Sequence, residues 1–240
     1  REERLGGVLK QCIHDGFGLL RFKEKLTGPE YASRFIKNLL KKIKIATFAF
    51  ASRIEKHNDY YQVNYVDQEG FHLVHTKNII LATGCRERTR NQLLIPGMRG
   101  VGIYTAGMVQ HLVNILGISP CLNPVIIGSG DIGLIMARRL TLEGAKVVGV
   151  YEIKDEPSGL MRNIAQCLDD YDIPLYLSKT VTKIIGTNRV EAVEISTVDS
   201  NFTPIPGTEE IVACDALVLA VGLIPENELA EGLNIKMDPR

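Results

Sequence analysis

The chain has 240 residues, 45% of them hydrophobic, with 28 Lys and Arg balanced by 28 Asp and Glu. Zero net charge excludes the basic field that nucleic acid or an anionic membrane surface would require, and no apolar run approaches the roughly 20 residues of a membrane span. The five cysteines, Cys12, Cys85, Cys121, Cys167 and Cys214, form no C-x-x-C pair and no metal-ligand spacing, so they read as inert thiols of a reducing cytoplasm with no metal site.

The chain starts at Arg1 without Met and ends at Arg240 without an obvious stop, which suggests an internal piece of a longer protein. Leu5-Gly6-Gly7 opens an irregular loop that runs past Cys12 and His14 to Gly18. Thr27-Gly28-Pro29-Glu30 is a helix start, followed by a helical stripe of Tyr31, Phe35, Ile36, Leu39 and Leu40 and a basic end at Lys41-Lys42. Ile43 to Phe50 reads as a strand, and Arg53 to His75 as a β-meander turning at Gln68-Glu69-Gly70, with His57, His72 and His75 as surface residues. Asn78 to Gly84 reads as a buried strand running into a glycine turn. Arg86, Arg88 and Arg90 follow, either as a solvated loop or as a grip on phosphate. A short helix is expected over Met108 to Leu116, then a linker from Gly117 to Asn123.

The most informative stretch runs from Pro124 to Glu152. Val125-Ile126-Ile127 is a short apolar strand, and Gly128, Gly130 and Gly133 complete a G-x-G-x-x-G. The period then becomes helical through Ile132, Ile135, Met136 and Leu140, stops at Gly144, and gives way to a second apolar strand, Ala145 to Val150. In this context each glycine has its own physical role. Gly128 makes the tight turn, Gly130 permits close approach of a pyrophosphate, and Gly133 allows helix–strand packing. Ser129, Asp131 and Ile132 complete the turn that would cradle the diphosphate at the helix start. Glu152 lies 22 positions after Gly130, near the roughly 20 expected of the carboxylate that holds a ribose 2′-OH, which predicts NAD(H) over NADP(H).

Beyond Glu152 a polar loop (Lys154 to Gly159) precedes a helix over Leu160 to Asp170 and a strand over Ile173 to Ser178. Val181 to Ile185 and Val190 to Thr197 read as antiparallel strands, Asp199 to Gly207 as a loop, and Ile211 to Ala220 as one apolar strand ending at Val221-Gly222. A short helix follows Asn227. The predicted organisation is α/β: a Rossmann-like, three-layer β-β-α NAD(H)-binding domain (119–221) inserted into an incomplete FAD-binding α/β domain (1–118 and 222–240).

Gly128-Ser129-Gly130-Asp131-Ile132-Gly133, the strand ends Ala82-Thr83-Gly84 and Ala220-Val221-Gly222, and Gly222-Leu223-Ile224-Pro225-Glu226-Asn227 together resemble the two-dinucleotide flavoproteins of the pyridine nucleotide-disulfide oxidoreductase superfamily. Gly84-Cys85-Arg86-Glu87-Arg88 and Gly102-Ile103-Tyr104-Thr105-Ala106-Gly107 resemble a thioredoxin-reductase-like subgroup without the C-x-x-C, related to the FAD/NAD subunits of opine and sarcosine oxidases. The resemblance implies hydride transfer between NADH and FAD, then to an unknown acceptor. It assigns Val221 and Gly222 to the NAD side, and Gly6, Gly7, Thr83, Gly84 and Arg88 to FAD. FAD is expected in the parent protein and not on this chain alone, so the isolated chain is expected to be inactive. Cys12 and His14 are weak catalytic candidates on the flavin-side loop, and Asp131 is either a helix cap or a gate of the nicotinamide pocket. Two alternatives stand beside this reading. One is a subunit of a multi-component amine, opine or polyol-phosphate dehydrogenase, with a partner subunit or a homodimer. The other is an NAD-binding module without turnover.

Overall fold

A computed structural model describes residues 2–39 and 42–238. The expected contribution of Leu40 and Lys41 to the first long helix lies outside the described residues. The chain forms two compact units, residues 1–86 with 224–240, and residues 87–223.

In the first unit, helix α1 (Gly28–Lys37) starts where the sequence places it. Thr27 and Glu30 form a reciprocal capping box, the Thr27 hydroxyl accepting from the Glu30 amide and the Glu30 carboxylate accepting from the Thr27 amide. A three-stranded antiparallel meander follows, β1 (Phe50–Lys56), β2 (Tyr61–Asp67) and β3 (Gly70–Thr76). Its histidines have local roles. His57 stacks on Tyr60 and His72 on Tyr65, and His72 Nε2 lies 2.8 Å from Asp67.

Two expected strands of this unit are corrected. Ile43 to Ala49 and Asn78 to Gly84 form no ladder; only Phe50 enters a strand. The second stretch is not buried either, since Ile80 is 94% exposed. An apolar run becomes a sheet strand only when a neighbour completes its hydrogen bonds, and no strand among the described residues pairs with either stretch.

The second unit has three layers. Its central sheet is parallel and five-stranded, built from β4 (Ile103–Thr105), β5 (Pro124–Ile127), β6 (Gly149–Tyr151), β7 (Leu175–Tyr176) and β11 (Ala216–Leu219), in the order β7-β6-β5-β11-β4. Helices α2 (Ala106–Asn114), α3 (Asp131–Leu142) and α4 (Met161–Cys167) share one core with this sheet through Val109, Ile126, Leu134, Met136, Ile164 and Val218. The antiparallel meander β8 (Lys179–Gly186), β9 (Val190–Thr197) and β10 (Glu210–Ala213) shares the other, through Val125, Ile127, Ile184, Val193, Leu217 and Leu219. Alternate residues of β5 and β11 enter opposite cores, which is why both read as continuous apolar runs.

The run expected as one strand from Ile211 to Ala220 is two strands in two sheets. The break is at Asp215, whose carboxylate accepts from the amides of Leu122 and Asn123 at 2.7 and 2.8 Å. Ile103–Thr105 is the edge strand beside β11, and α2, expected from Met108, starts earlier, at Ala106, capped by the Thr105 hydroxyl.

Candidate nucleotide site

The parallel strand β5 delivers the chain to Gly128, whose φ of +95° is open to glycine at little cost. A Cβ there would stand 2.3 Å from the Ala220 carbonyl oxygen, at the end of neighbouring β11. Gly133, in the first turn of α3, is equally constrained: its Cβ would stand 2.3 Å from the Gly128 carbonyl oxygen. Gly130 differs from both. It caps α3 in an extended conformation (φ −65°, ψ 162°), and no atom beyond its two chain neighbours lies within 4 Å of where its Cβ would be. Two glycines thus serve packing, and one leaves open space before the amino end of a 12-residue helix, where amides without intrahelical partners and the helix dipole favour an anion. Ile132, in that first turn, is 40% exposed.

Ser129 and Glu152 are both buried and face each other. The Ser129 amide and hydroxyl donate to Glu152 Oε2 at 3.0 and 2.5 Å, the Ser158 hydroxyl donates to the same oxygen at 3.1 Å, and the Lys154 amide donates to Oε1 at 3.2 Å. Burial pushes the Glu152 carboxyl up, but these donors outweigh it and hold the group below the ordinary carboxylate value. The expected ribose acid is therefore at the glycine turn and ionised, while Ser129 presents both its donors to that acid.

Asp131, expected as a helix cap or a pocket gate, lies in the first turn of α3. Its Oδ1 accepts from the Leu160 amide at 2.9 Å and from Asn163 Nδ2 at 2.8 Å, which ties α3 to the start of α4, and no side-chain cap bond is made at Gly130. Ser158 and Asn163 escape sequence reasoning. The only available signal is a serine in the polar loop six positions beyond the acid.

Val221 packs against the meander-side core, and the Gly222 carbonyl accepts from the Arg88 amide at 3.1 Å. Arg88 belongs to this second unit, whereas the other residues assigned to FAD belong to the first. There Gly6, Gly7 and Thr83 line a cavity of about 550 Å³ together with Arg4, Glu226 and Glu228. Gly6, Gly7 and Gly84 all have positive φ, and the Thr83 hydroxyl donates to the Glu226 carbonyl at 2.7 Å. The open glycine backbone and this volume fit the ring of a flavin, whereas Glu2, Glu226 and Glu228 on the wall do not fit a pyrophosphate.

The weak catalytic candidates are not supported as a reactive pair. Cys12 is buried, its thiol donates to the Val8 carbonyl at 3.3 Å, and burial pushes its pKa up. His14 packs against the Phe17 ring. Burial also pushes the Cys121 and Cys214 thiols up to about 12 and raises Cys167. Cys85, unlike the other four cysteines, is exposed. Among the described residues no cluster of His, Cys, Asp or Glu could hold a metal ion, and no helix is long and apolar enough to cross a membrane.

Comparison with known proteins agrees with this architecture. The family profile described as "Pyridine nucleotide-disulphide oxidoreductase" matches residues 11–240. The hydrogen cyanide synthase subunit HcnB of Pseudomonas aeruginosa is 25% identical over 185 residues, 71% of this chain and 39% of that protein. The rhodocoxin reductase of Rhodococcus erythropolis is 27% identical over 165 residues, 67% of this chain and 36% of that protein. The chain thus spans less than two-fifths of the length of these relatives. Among solved structures, the thioredoxin reductase of Lactococcus lactis superposes with a TM-score of 0.76 at 21% identity, over 96% of this chain and 71% of that one, a likeness of fold.

Proposed function

We propose, for a chain that belongs to the pyridine nucleotide-disulphide oxidoreductase family, that its second unit binds NADH across Gly128 to Gly133 for hydride transfer to FAD. Members of that family are flavin-dependent oxidoreductases that bind FAD and a pyridine nucleotide. The open space at Gly130, before the helix start and next in sequence to the Ser129 that bonds an ionised Glu152, is the observation that carries the reading.

Each part of the site contributes differently. Gly130 lets the diphosphate reach the amides and positive end of α3. Glu152, kept anionic by its donors, accepts from an adenosine ribose hydroxyl and repels a 2′-phosphate, which favours NADH over NADPH. Gly128 and Gly133 hold strand and helix together beneath the diphosphate. Asp131 places its charge on donors from Leu160 and Asn163. FAD, when bound, supplies the two-electron acceptor for hydride, and Gly6, Gly7 and Thr83 would hold its ring. This chain contains no C-x-x-C, so no such pair within these 240 residues takes the electrons from the flavin.

A second reading is favoured by the name of the Pseudomonas relative, which calls it a subunit. In that reading the flavin is reduced through a partner chain and this chain passes electrons onward. Anaerobic mixing of the FAD-loaded parent protein with NADH separates the two. Bleaching of the flavin absorbance on adding NADH alone supports the first reading. Bleaching only with a partner subunit and its substrate overturns it in favour of the second.

A further inference from the structure

Beyond the glycine turn, the segment from Glu152 to Asn163 is tied back to the turn and to the start of α3 at two points. One is the pair of bonds from Leu160 and Asn163 to Asp131. The other is a closed ring of hydrogen bonds. The Ser158 amide donates to Ser129 Oγ at 2.9 Å, the Ser129 hydroxyl donates to Glu152 Oε2, and the Ser158 hydroxyl donates to the same Oε2. Gly159, between the two ties, lies against the turn, since a Cβ on it would stand 2.7 Å from the Ser129 carbonyl oxygen.

The two oxygens of Glu152 are used unequally. A carboxylate offers about four acceptor positions, two on each oxygen. Oε2 receives Ser129 twice and Ser158 once, so its capacity is filled, whereas Oε1 receives only the long bond from the Lys154 amide among the described contacts. Oε1 alone keeps an unfilled acceptor position, and its direction is fixed once Oε2 is anchored.

On this ground, and resting on the ribose assignment proposed above, we infer that Ser158 is a positioning residue for nucleotide specificity: with Ser129 it anchors Oε2 and turns Oε1 toward one ribose hydroxyl. Ser158 acts through Glu152 and need not touch the nucleotide. Its role is to convert a flexible acid into a single-point hydroxyl reader.

The test compares NAD+ with its counterpart lacking the adenosine 2′-hydroxyl, titrated calorimetrically into the wild-type chain and into Ser158→Ala, Ser158→Thr and Glu152→Gln. Ser158 is exposed, so its truncation removes no core packing. The wild type should bind NAD+ about tenfold more tightly than the deoxy compound, the worth of one hydrogen bond to a charged group. Ser158→Ala should cut that ratio to about threefold or less, and Ser158→Thr, which keeps the hydroxyl, should restore it. A merely structural role would weaken both ligands equally and leave the ratio unchanged. If Ser158→Ala keeps the wild-type ratio while Glu152→Gln loses it, the ribose assignment stands and the role of Ser158 is refuted. If Glu152→Gln keeps the wild-type ratio, the ribose assignment itself fails, and the role of Ser158 falls with it.

Discussion

Gly133 sits on the carbonyl of Gly128 so closely that a single added carbon would stand 2.3 Å from that oxygen. The obstacle is backbone and cannot swing aside as a side chain would, so α3 has to lift from β5. Gly133→Ala is therefore expected to lose about 1–3 kcal/mol of stability, the usual cost of overpacking, although alanine is the better helix former. Thermal unfolding followed by circular dichroism checks this, and an unchanged melting temperature would contradict the packing.

Glu152 links stability to pH. Its folded pKa lies below the ordinary value of 4.5, so its contribution is complete above the unfolded pKa and is lost as pH falls through the folded one. The melting-temperature difference between wild type and Glu152→Gln should be constant near neutral pH and shrink once pH drops below 4.5. A difference that persists unchanged down to about pH 3 would show that the carboxylate is not the stabilising form.

The same residue should choose the coenzyme. Wild-type chain is expected to prefer NADH to NADPH. Glu152→Ala should weaken NADH binding by about 1.5–3 kcal/mol and relax the rejection of NADPH. Competitive titration of the two coenzymes reads both changes. A wild-type preference for NADPH would sink the ribose assignment.

Thiol chemistry follows burial. Cys85 is exposed, while Cys12, Cys121, Cys167 and Cys214 are buried. A thiol reagent such as dithionitrobenzoate should label one group rapidly in the native chain and the remaining four only after unfolding. Fast labelling that survives Cys85→Ser would contradict the burial of the others.

Much of the second unit was legible because its signals are local. The apolar triplet Val125 to Ile127, the three glycines and the change of period through Met136 and Leu140 all lie within one β-α-β unit. What escaped depends on residues distant in sequence. Nothing near Asp215 announces that its carboxylate will take the amides of Leu122 and Asn123 and divide an apolar run between two sheets. Nothing near Asp131 announces Asn163 as its partner. Ile80 shows the opposite failure: its neighbourhood has strand-like composition, yet it stands 94% exposed with no ladder beside it. Composition marks what can enter a sheet, and pairing decides whether it does.

Gly130→Val measures the central proposal most directly, because the site of substitution is empty and its backbone is already extended, a conformation valine accepts. NADH titrated into wild type and variant, with thermal unfolding run in parallel, should show saturable binding to the wild type, none to the variant, and little change in melting temperature. A variant that binds NADH as tightly as the wild type would place the dinucleotide elsewhere.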